Sequence, residues 1–141
     1  MSNRSRKAQV WIARSGKAGT EFLLFRVREE RGGGWHPVTG GVDAGESFIE
    51  GAKRELAEET GFDPERGTWY DLELELKFES RFGPAKERAF GFLLNDSDAE
   101  PVLDPSEHLE YRWESLEAAR AMLNFEFQRD ALRQFSCYFS E

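Results

Sequence analysis

Residues Gly40–Phe62 read GGVDAGESFIEGAKRELAEETGF, and the spacing of charged residues in this stretch decides both the local structure and the chemistry. Ser47 followed by Glu50 has the spacing of a capping box. Ile49, Ala52 and Leu56 then recur on one helical face, and Thr60-Gly61 supplies a stop, so a helix is predicted from about Ser47 to Thr60. On that helix Glu55, Glu58 and Glu59 stand at i, i+3 and i+4 and project from one face. Without a cation such a face repels itself.

Three neighbouring carboxylates suit Mg²⁺ or Mn²⁺, which take oxygen ligands in octahedral geometry and keep waters and substrate phosphates as further ligands. Zinc is disfavoured, because no cluster of histidines or cysteines is present. Arg54 precedes Glu58 by four residues, a spacing at which it can pair with that carboxylate and hold it ionised. Gly40 and Gly41 permit a tight backbone turn beside this face, where a free carbonyl offers one more oxygen. Taken alone, glutamates at this spacing more often make a solvated helix face; the wider pattern has to decide.

Before the helix, Ala8–Ala13 and Glu21–Val27 are apolar runs rich in strand formers, joined by Ser15–Gly19, which reads as a hairpin connection. Gly32–Gly34 closes a loop, and Trp35–Gly40 reads as a short strand or extended segment leading into the motif. After it, Tyr70–Phe78 alternates apolar and polar residues like a half-buried strand, with Arg88–Leu94 as its expected partner. Residues 95–106 form an acidic, turn-rich loop, and His108–Trp113 one more strand. Ser115–Leu123 and Phe125–Phe135 carry helical signals, with Ser115 and Asn124 as the expected N-caps. This order of elements fits an α+β mixed sheet sandwiched by helices.

The chain has 141 residues, near the modal size of one folding domain, so a single domain over residues 1–141 is expected. Twelve Phe and four Trp supply apolar area for a core despite a charged fraction of 33%. The net charge of −8 argues against binding duplex nucleic acid or an anionic membrane, both of which rely on a positive surface. It also favours a cation between the protein and any polyphosphate. Cys137 is the only cysteine, which rules out an intrachain disulfide; it reads as a small apolar filler. The apolar stretch Ala8–Ala13 is too short for a signal-peptide core or a membrane span, so the cytoplasm is the expected address.

The stretch Gly40–Phe62 resembles the signature of the Nudix hydrolase family, GX5EX7REUXEEXGU, where U is a bulky aliphatic residue. Every polar position agrees, and Phe62 stands where an aliphatic residue is usual, a matter of packing behind the helix. Eight matched positions from Gly40 to Gly61 would coincide by chance in roughly one window per billion at average residue frequencies, which outweighs the solvated-face reading. The resemblance implies a Nudix α/β/α sandwich with a mixed, largely antiparallel sheet and a Mg²⁺-dependent pyrophosphohydrolase, with Mn²⁺ able to substitute. It implies that Glu55, Glu58 and Glu59 bind the metal, joined by the carbonyl of Thr39 or Gly40, while Glu46 and Arg54 position loop and helix. Glu58, Glu59 and Glu107 remain alternatives for the general base.

Outside the signature, Glu107-His108 followed by Tyr111 and Trp113 resembles a Glu-His-x-x-Tyr-x-Trp stretch in the dihydroneopterin-triphosphate and dinucleoside-polyphosphate branches of the family. There the acid approaches the metal from a loop; otherwise Glu107 is an exposed loop acid. Trp35 with Val38-Thr39-Gly40 resembles the dihydroneopterin-triphosphate branch. Trp35 is either a stacking surface for a base or pterin, or plain core. Arg26, Arg28 and Lys53 are the expected phosphate-neutralising cations, and neither His36 nor His108 is given a role. The expected substrate is a nucleotide or pterin triphosphate, cleaved to a monophosphate and pyrophosphate. The motif does not by itself choose between this, a dinucleoside polyphosphate or nucleotide sugar, and a noncatalytic nucleotide-sensing module. It leaves the oligomeric state open as well, a homodimer being common among such relatives.

Overall fold

The computed structural model describes residues 2–139, with side chains from residue 5 onward. Strand β1 (Ser2–Gly16) turns into β2 (Gly19–Val27), and the two pair antiparallel only near their shared turn, from Ala13–Phe22 to Gly16–Gly19. They then diverge. The wedge between them is filled by β3 (Trp35–His36), which pairs with β2 at Phe25 and Arg26, and β4 (Val38–Asp43), which pairs with β1 from Ser2 to Val10. Gly40 and Gly41 pair with Ala8 and Lys7 inside β4 rather than making the expected tight turn, and the chain then turns beyond Asp43 into the helix of the signature.

On its other side β1 pairs with β6 (Gly83–Leu94), the parallel pairing of the sheet, and β6 forms a hairpin with β5 (Gly67–Ser80). Strand β7 (His108–Glu114) lies on the outside of β2. These seven strands make one mixed, mostly antiparallel sheet. Helix α1 (Phe48–Thr60) covers one face; α2 (Leu116–Ala121) and α3 (Glu126–Ser136) cover the other.

Side-chain alternation along β1 explains the layering. Ala8, Val10 and Ile12 enter the cluster under α1 with Leu56 and Phe92, whereas Trp11 and Ala13 enter the cluster under α2 and α3 with Leu132 and Phe135. A strand covered on both faces needs apolar residues at successive positions, as Ala8–Ala13 has apart from Gln9. Close approach is secured by small residues: a Cβ on Gly51 would stand 2.9 Å from a Val42 methyl, and one on Gly91 would collide with the Phe135 ring.

The helix expected at Ser47–Thr60 is present with its capping box: the Ser47 hydroxyl accepts from the Glu50 amide at 3.2 Å, and the Glu50 carboxylate accepts from the Ser47 amide at 2.8 Å. Gly61 ends it in the left-handed region, with φ 75°. Phe62 lies in the core under α1, so the aromatic departure is a packing choice. Three expectations need correction. The alternation of β5 holds, but a bulge between Asp71 and Glu75 with Glu73 at φ 57° interrupts its pairing to β6. The N-cap of α3 is Phe125, without a side-chain cap, because Asn124 lies one residue too early. Cys137 is exposed rather than a core filler, since it sits in a short 3-10 turn beyond the packed face of α3. Among the described residues no helix is long and apolar enough to cross a membrane.

Candidate active site

The site begins with the contact between β4 and α1. The Glu55 carboxyl lies against Gly40 so closely that a Cβ there would collide with it, which is the local reason for a glycine. Arg54 ties the intervening loop together. Its Nε and Nη2 donate to the two oxygens of Glu46 at 2.9 and 3.0 Å, Nη2 also donates to the Gly41 carbonyl at 2.8 Å, and Nη1 donates to Glu55 at 3.0 Å and Glu58 at 3.2 Å. The fork geometry of guanidinium suits this many-sided role. The expected pairing with Glu58 is thus present but peripheral, and Glu46 is the principal partner. Glu46 in turn accepts from the Asp43 amide at 2.7 Å, and Arg6 donates to the carbonyls of Asp43 and Glu46 at 2.9 and 2.7 Å. The hydrogen bond from Arg54 holds the Glu46 carboxyl below the usual range, and the same bond, outweighing burial, raises the guanidinium pKa of Arg54.

Glu59 is the buried member of the acidic face, at 8% exposure. Burial, then contact with Glu55 and the charges of Glu55, Glu107 and Glu58, push its carboxyl far above the usual carboxylate range. Each of these perturbations would be relieved by a cation among the oxygens. Glu59 also meets His108, whose Nε2 lies 3.5 Å from Glu59 Oε1 and whose ring stacks on Phe25 at 4.7 Å. Burial lowers the His108 pKa, favouring the neutral imidazole.

Glu59, Glu107, His108 and Thr39 open into a cavity of about 530 Å³, within the range of small-ligand sites. Its walls include His36, Arg31, Lys7 and the aromatic rings of Phe78, Phe125 and Phe127. Arg31 pairs with Glu107 at 3.3 Å across the opening. Among the described residues no three His, Cys, Asp or Glu side chains converge closely enough to hold a metal ion by themselves. An all-oxygen, open-sided donor set fits Mg²⁺, which binds through one or two carboxylates and completes its shell with water and phosphate. The crowding of Glu59 by other carboxylates is the observation that supports the fit.

Of the residues expected at the site, Glu55, Glu58, Glu59, Glu107, Thr39, Gly40 and Arg54 are gathered at this end of the sheet. Trp35, Arg26, Arg28 and Lys53 do not line this cavity. Trp35 packs against the cluster under α2 and α3 with the Arg112 guanidinium 5.3 Å above its ring. Arg26 pairs with Glu110 at 3.1 Å, Arg28 with Glu30 and the Pro105 carbonyl, and Lys53 Nζ lies 6.0 Å from the Trp69 ring. Trp35 and Arg26 face each other on paired strands, Arg28 lies just past β2 and Lys53 sits on α1. The cations that do reach the cavity, Lys7 and Arg31, carry no local sequence signal; nor do His36 and Gln128.

The Tyr111-x-Trp113 pattern acquires a physical meaning. Tyr111 Oη and Trp113 Nε1 donate to one oxygen of Glu100 at 3.1 and 2.8 Å, and Arg14 donates to the other at 2.9 Å while lying 4.0 Å above the Trp113 ring. Burial pushes Glu100 up, but these hydrogen bonds outweigh it and hold the carboxyl below its ordinary range. The cluster anchors the acidic loop that delivers Glu107 to Glu59.

A carboxylate kept this near to others, at the mouth of a cavity that also holds cations, is organised for a polyanion carried on a divalent ion; an α/β/α sandwich with that edge defines a phosphoanhydride hydrolase. The NUDIX domain matches residues 4–135, and the chain belongs to the Nudix family of hydrolases, which act on pyrophosphate bonds. It is 33% identical over 121 residues to the asymmetrical bis(5'-nucleosyl)-tetraphosphatase of Mus musculus, covering 83% of this chain and 81% of that protein. It is 30% identical over 127 residues to the dihydroneopterin triphosphate diphosphatase of Escherichia coli K12, covering 82% and 83%. A Myxococcus xanthus octanoyltransferase is 30% identical over 131 residues, but the chain spans only 36% of that protein's length. Among solved structures, a C. elegans Ap4A hydrolase binary complex superposes with a TM-score of 0.83 at 28% identity, covering 95% of this chain and 96% of that one. The E. coli dihydroneopterin triphosphate pyrophosphohydrolase superposes at 0.82 and 26% identity, covering 98% and 99%.

Proposed function

We propose that this chain is a Mg²⁺-dependent pyrophosphohydrolase that cleaves a nucleoside or pterin triphosphate to a monophosphate and pyrophosphate. The observation that carries the reading is the buried carboxyl of Glu59, crowded by Glu55, Glu58 and Glu107 at the mouth of a cavity large enough for one nucleotide. Glu55, Glu58, Glu59 and a carbonyl of Thr39 or Gly40 would hold the ion. When bound, Mg²⁺ supplies polarisation of a phosphate oxygen and acidity to an attacking water.

The chain's own groups do the rest. Arg54 keeps Glu55, Glu58 and the Gly41–Glu46 segment in register. A glutamate takes the proton as water attacks phosphorus and the bridging P–O bond breaks; Glu107 suits that role because its loop brings it to Glu59 from outside the helix. Arg31 neutralises charge on the phosphate chain and the leaving group. Arg31 must leave Glu107 to do so, which frees that carboxylate as a base.

A dinucleoside polyphosphate is the second reading, supported by the similarity to the mouse tetraphosphatase and the C. elegans Ap4A hydrolase. The test is a substrate panel with Mg²⁺ and with chelator, comparing nucleoside triphosphates, dihydroneopterin triphosphate, Ap4A and a nucleotide sugar. The proposal expects metal-dependent release of pyrophosphate from a triphosphate as the fastest reaction. Faster cleavage of Ap4A selects the second reading, and no Mg²⁺-dependent turnover on any of them refutes both.

A further inference from the structure

The cavity floor crosses four strands on the sheet face shared with α3: Thr39 on β4, Lys7 on β1, Glu87 on β6 and Leu76 on β5. With strands about 4.8 Å apart, the row at Glu87 lies about 10 Å from the row at Thr39, the span of a nucleoside whose phosphates sit at Glu59. The end far from the glutamate face therefore meets the heterocycle, and its unmet hydrogen-bonding capacity describes that ring.

Gln9 is fully buried and donates from Nε2 to Glu87 Oε2 at 2.8 Å. A carboxylate only accepts, so the amide orientation is fixed and Gln9 Oε1 is left without a partner. Gln128, 7% exposed, resolves in the same way. His36 Nε2 faces the Gly33 carbonyl at 2.7 Å and must carry the ring proton; His36 Nδ1 therefore accepts from Gln128 Nε2 at 3.0 Å, and Gln128 Oε1 has no partner. Glu87 makes no other hydrogen bond to the described residues. At this end of the cavity Glu87, whose Oε2 accepts from Gln9, keeps acceptor capacity to spare. Beside Glu87 stands a donor, its register partner Lys7, whose Nζ lies 5.9 Å from the Phe78 ring. Phe78 and Leu76 on one wall and Phe127 on the other supply flat apolar surface for a ring.

The geometry points to a 2-amino-4-oxo heterocycle, the edge shared by guanine and pterin, as the ring this cavity selects, with Glu87 as the specificity-determining residue. Glu87 accepts from the ring N–H and the adjacent amino group, and Lys7 donates to the neighbouring ring carbonyl. Adenine offers one amino group and no ring N–H at that edge, so it forfeits one charge-assisted contact. The inference rests on the reading that the phosphates lie at Glu59.

The test compares kcat/KM for GTP, ITP and ATP with Mg²⁺, in the wild-type protein and in Glu87→Gln, alongside calorimetric binding of GMP, IMP and AMP without metal. ITP differs from GTP only by the missing amino group. The expected result is a preference for GTP over both ITP and ATP of about 10–100-fold, the weight of one hydrogen bond to a charged group. In Glu87→Gln the GTP-to-ITP ratio is expected to shrink to within about threefold, since the neutral amide offers one acceptor oxygen. Equal rates for GTP and ITP in the wild type overturn the inference, as does an undiminished ratio in the variant. The wild-type comparison needs no mutant to fold. If no triphosphate is hydrolysed, the proposed function fails while the monophosphate affinities still decide the ring preference.

Discussion

Glu59 holds the tightest conflict in the molecule, a carboxylate that the core and three neighbouring acids keep from ionising. Its folded pKa lies above the ordinary 4.5, so the proton it keeps stabilises the folded state fully below that value, and this contribution is lost as pH rises toward the alkaline range. Metal-free protein is therefore expected to lose stability between pH 5 and 9, by about the amount that burial of one unpaired charge costs, and Glu59→Gln is expected to flatten the loss. Melting curves across that range check it; a parallel slope in the variant sinks the assignment. The same variant is expected to lose about 10²–10⁴-fold in kcat. Arg54→Ala removes the partner of Glu46 and of the Gly41 carbonyl, and is expected to cost about 1–3 kcal/mol in urea denaturation together with most of the activity. An active, equally stable variant would show that the arginine is incidental to the loop.

Two elements carry the site, one legible from local periodicity and capping and the other only through its resemblance to family relatives. Helix α1 was visible from Ser47, Glu50 and Gly61 because capping is local and each residue acts within one turn. Ser47→Ala is expected to lower stability by about 1 kcal/mol, seen as a shifted urea midpoint with an unchanged slope. The loop bearing Glu107 is held by contacts far apart in sequence, through Glu100 to Arg14, Tyr111 and Trp113. Glu100→Ala is expected to lower kcat by about 10–100-fold through misplacement of Glu107, with KM changed less, and Glu100→Gln to recover much of it by keeping the aromatic hydrogen bonds. A fall confined to melting temperature would mean that the anchor serves only stability.

Across the whole molecule, the divergence of β1 from β2 joins the acidic edge to the cavity, and ligand binding should be felt as global stability. Mg²⁺ at about 100 times its Kd is expected to stabilise the fold by about 2.7 kcal/mol at pH 8, and by less at pH 5.5, where protons compete for Glu59. Thermal shifts at the two pH values check this; equal shifts would place the ion elsewhere.

The residues Gly40–Phe62 by themselves determined the acidic helix and its limits, because helical periodicity and capping act over a few residues. The α/β/α order was equally readable, since strand and helix periodicities differ. Which cations reach the cavity was decided only by tertiary structure. Trp35, Arg26, Arg28 and Lys53 lie near the motif in sequence yet point to other partners, whereas Lys7, Arg31, Glu87 and Gln128 converge from β1, a loop, β6 and α3. Strand register and face govern such convergence, and a one-residue step along a strand sends a side chain to the opposite side of the sheet.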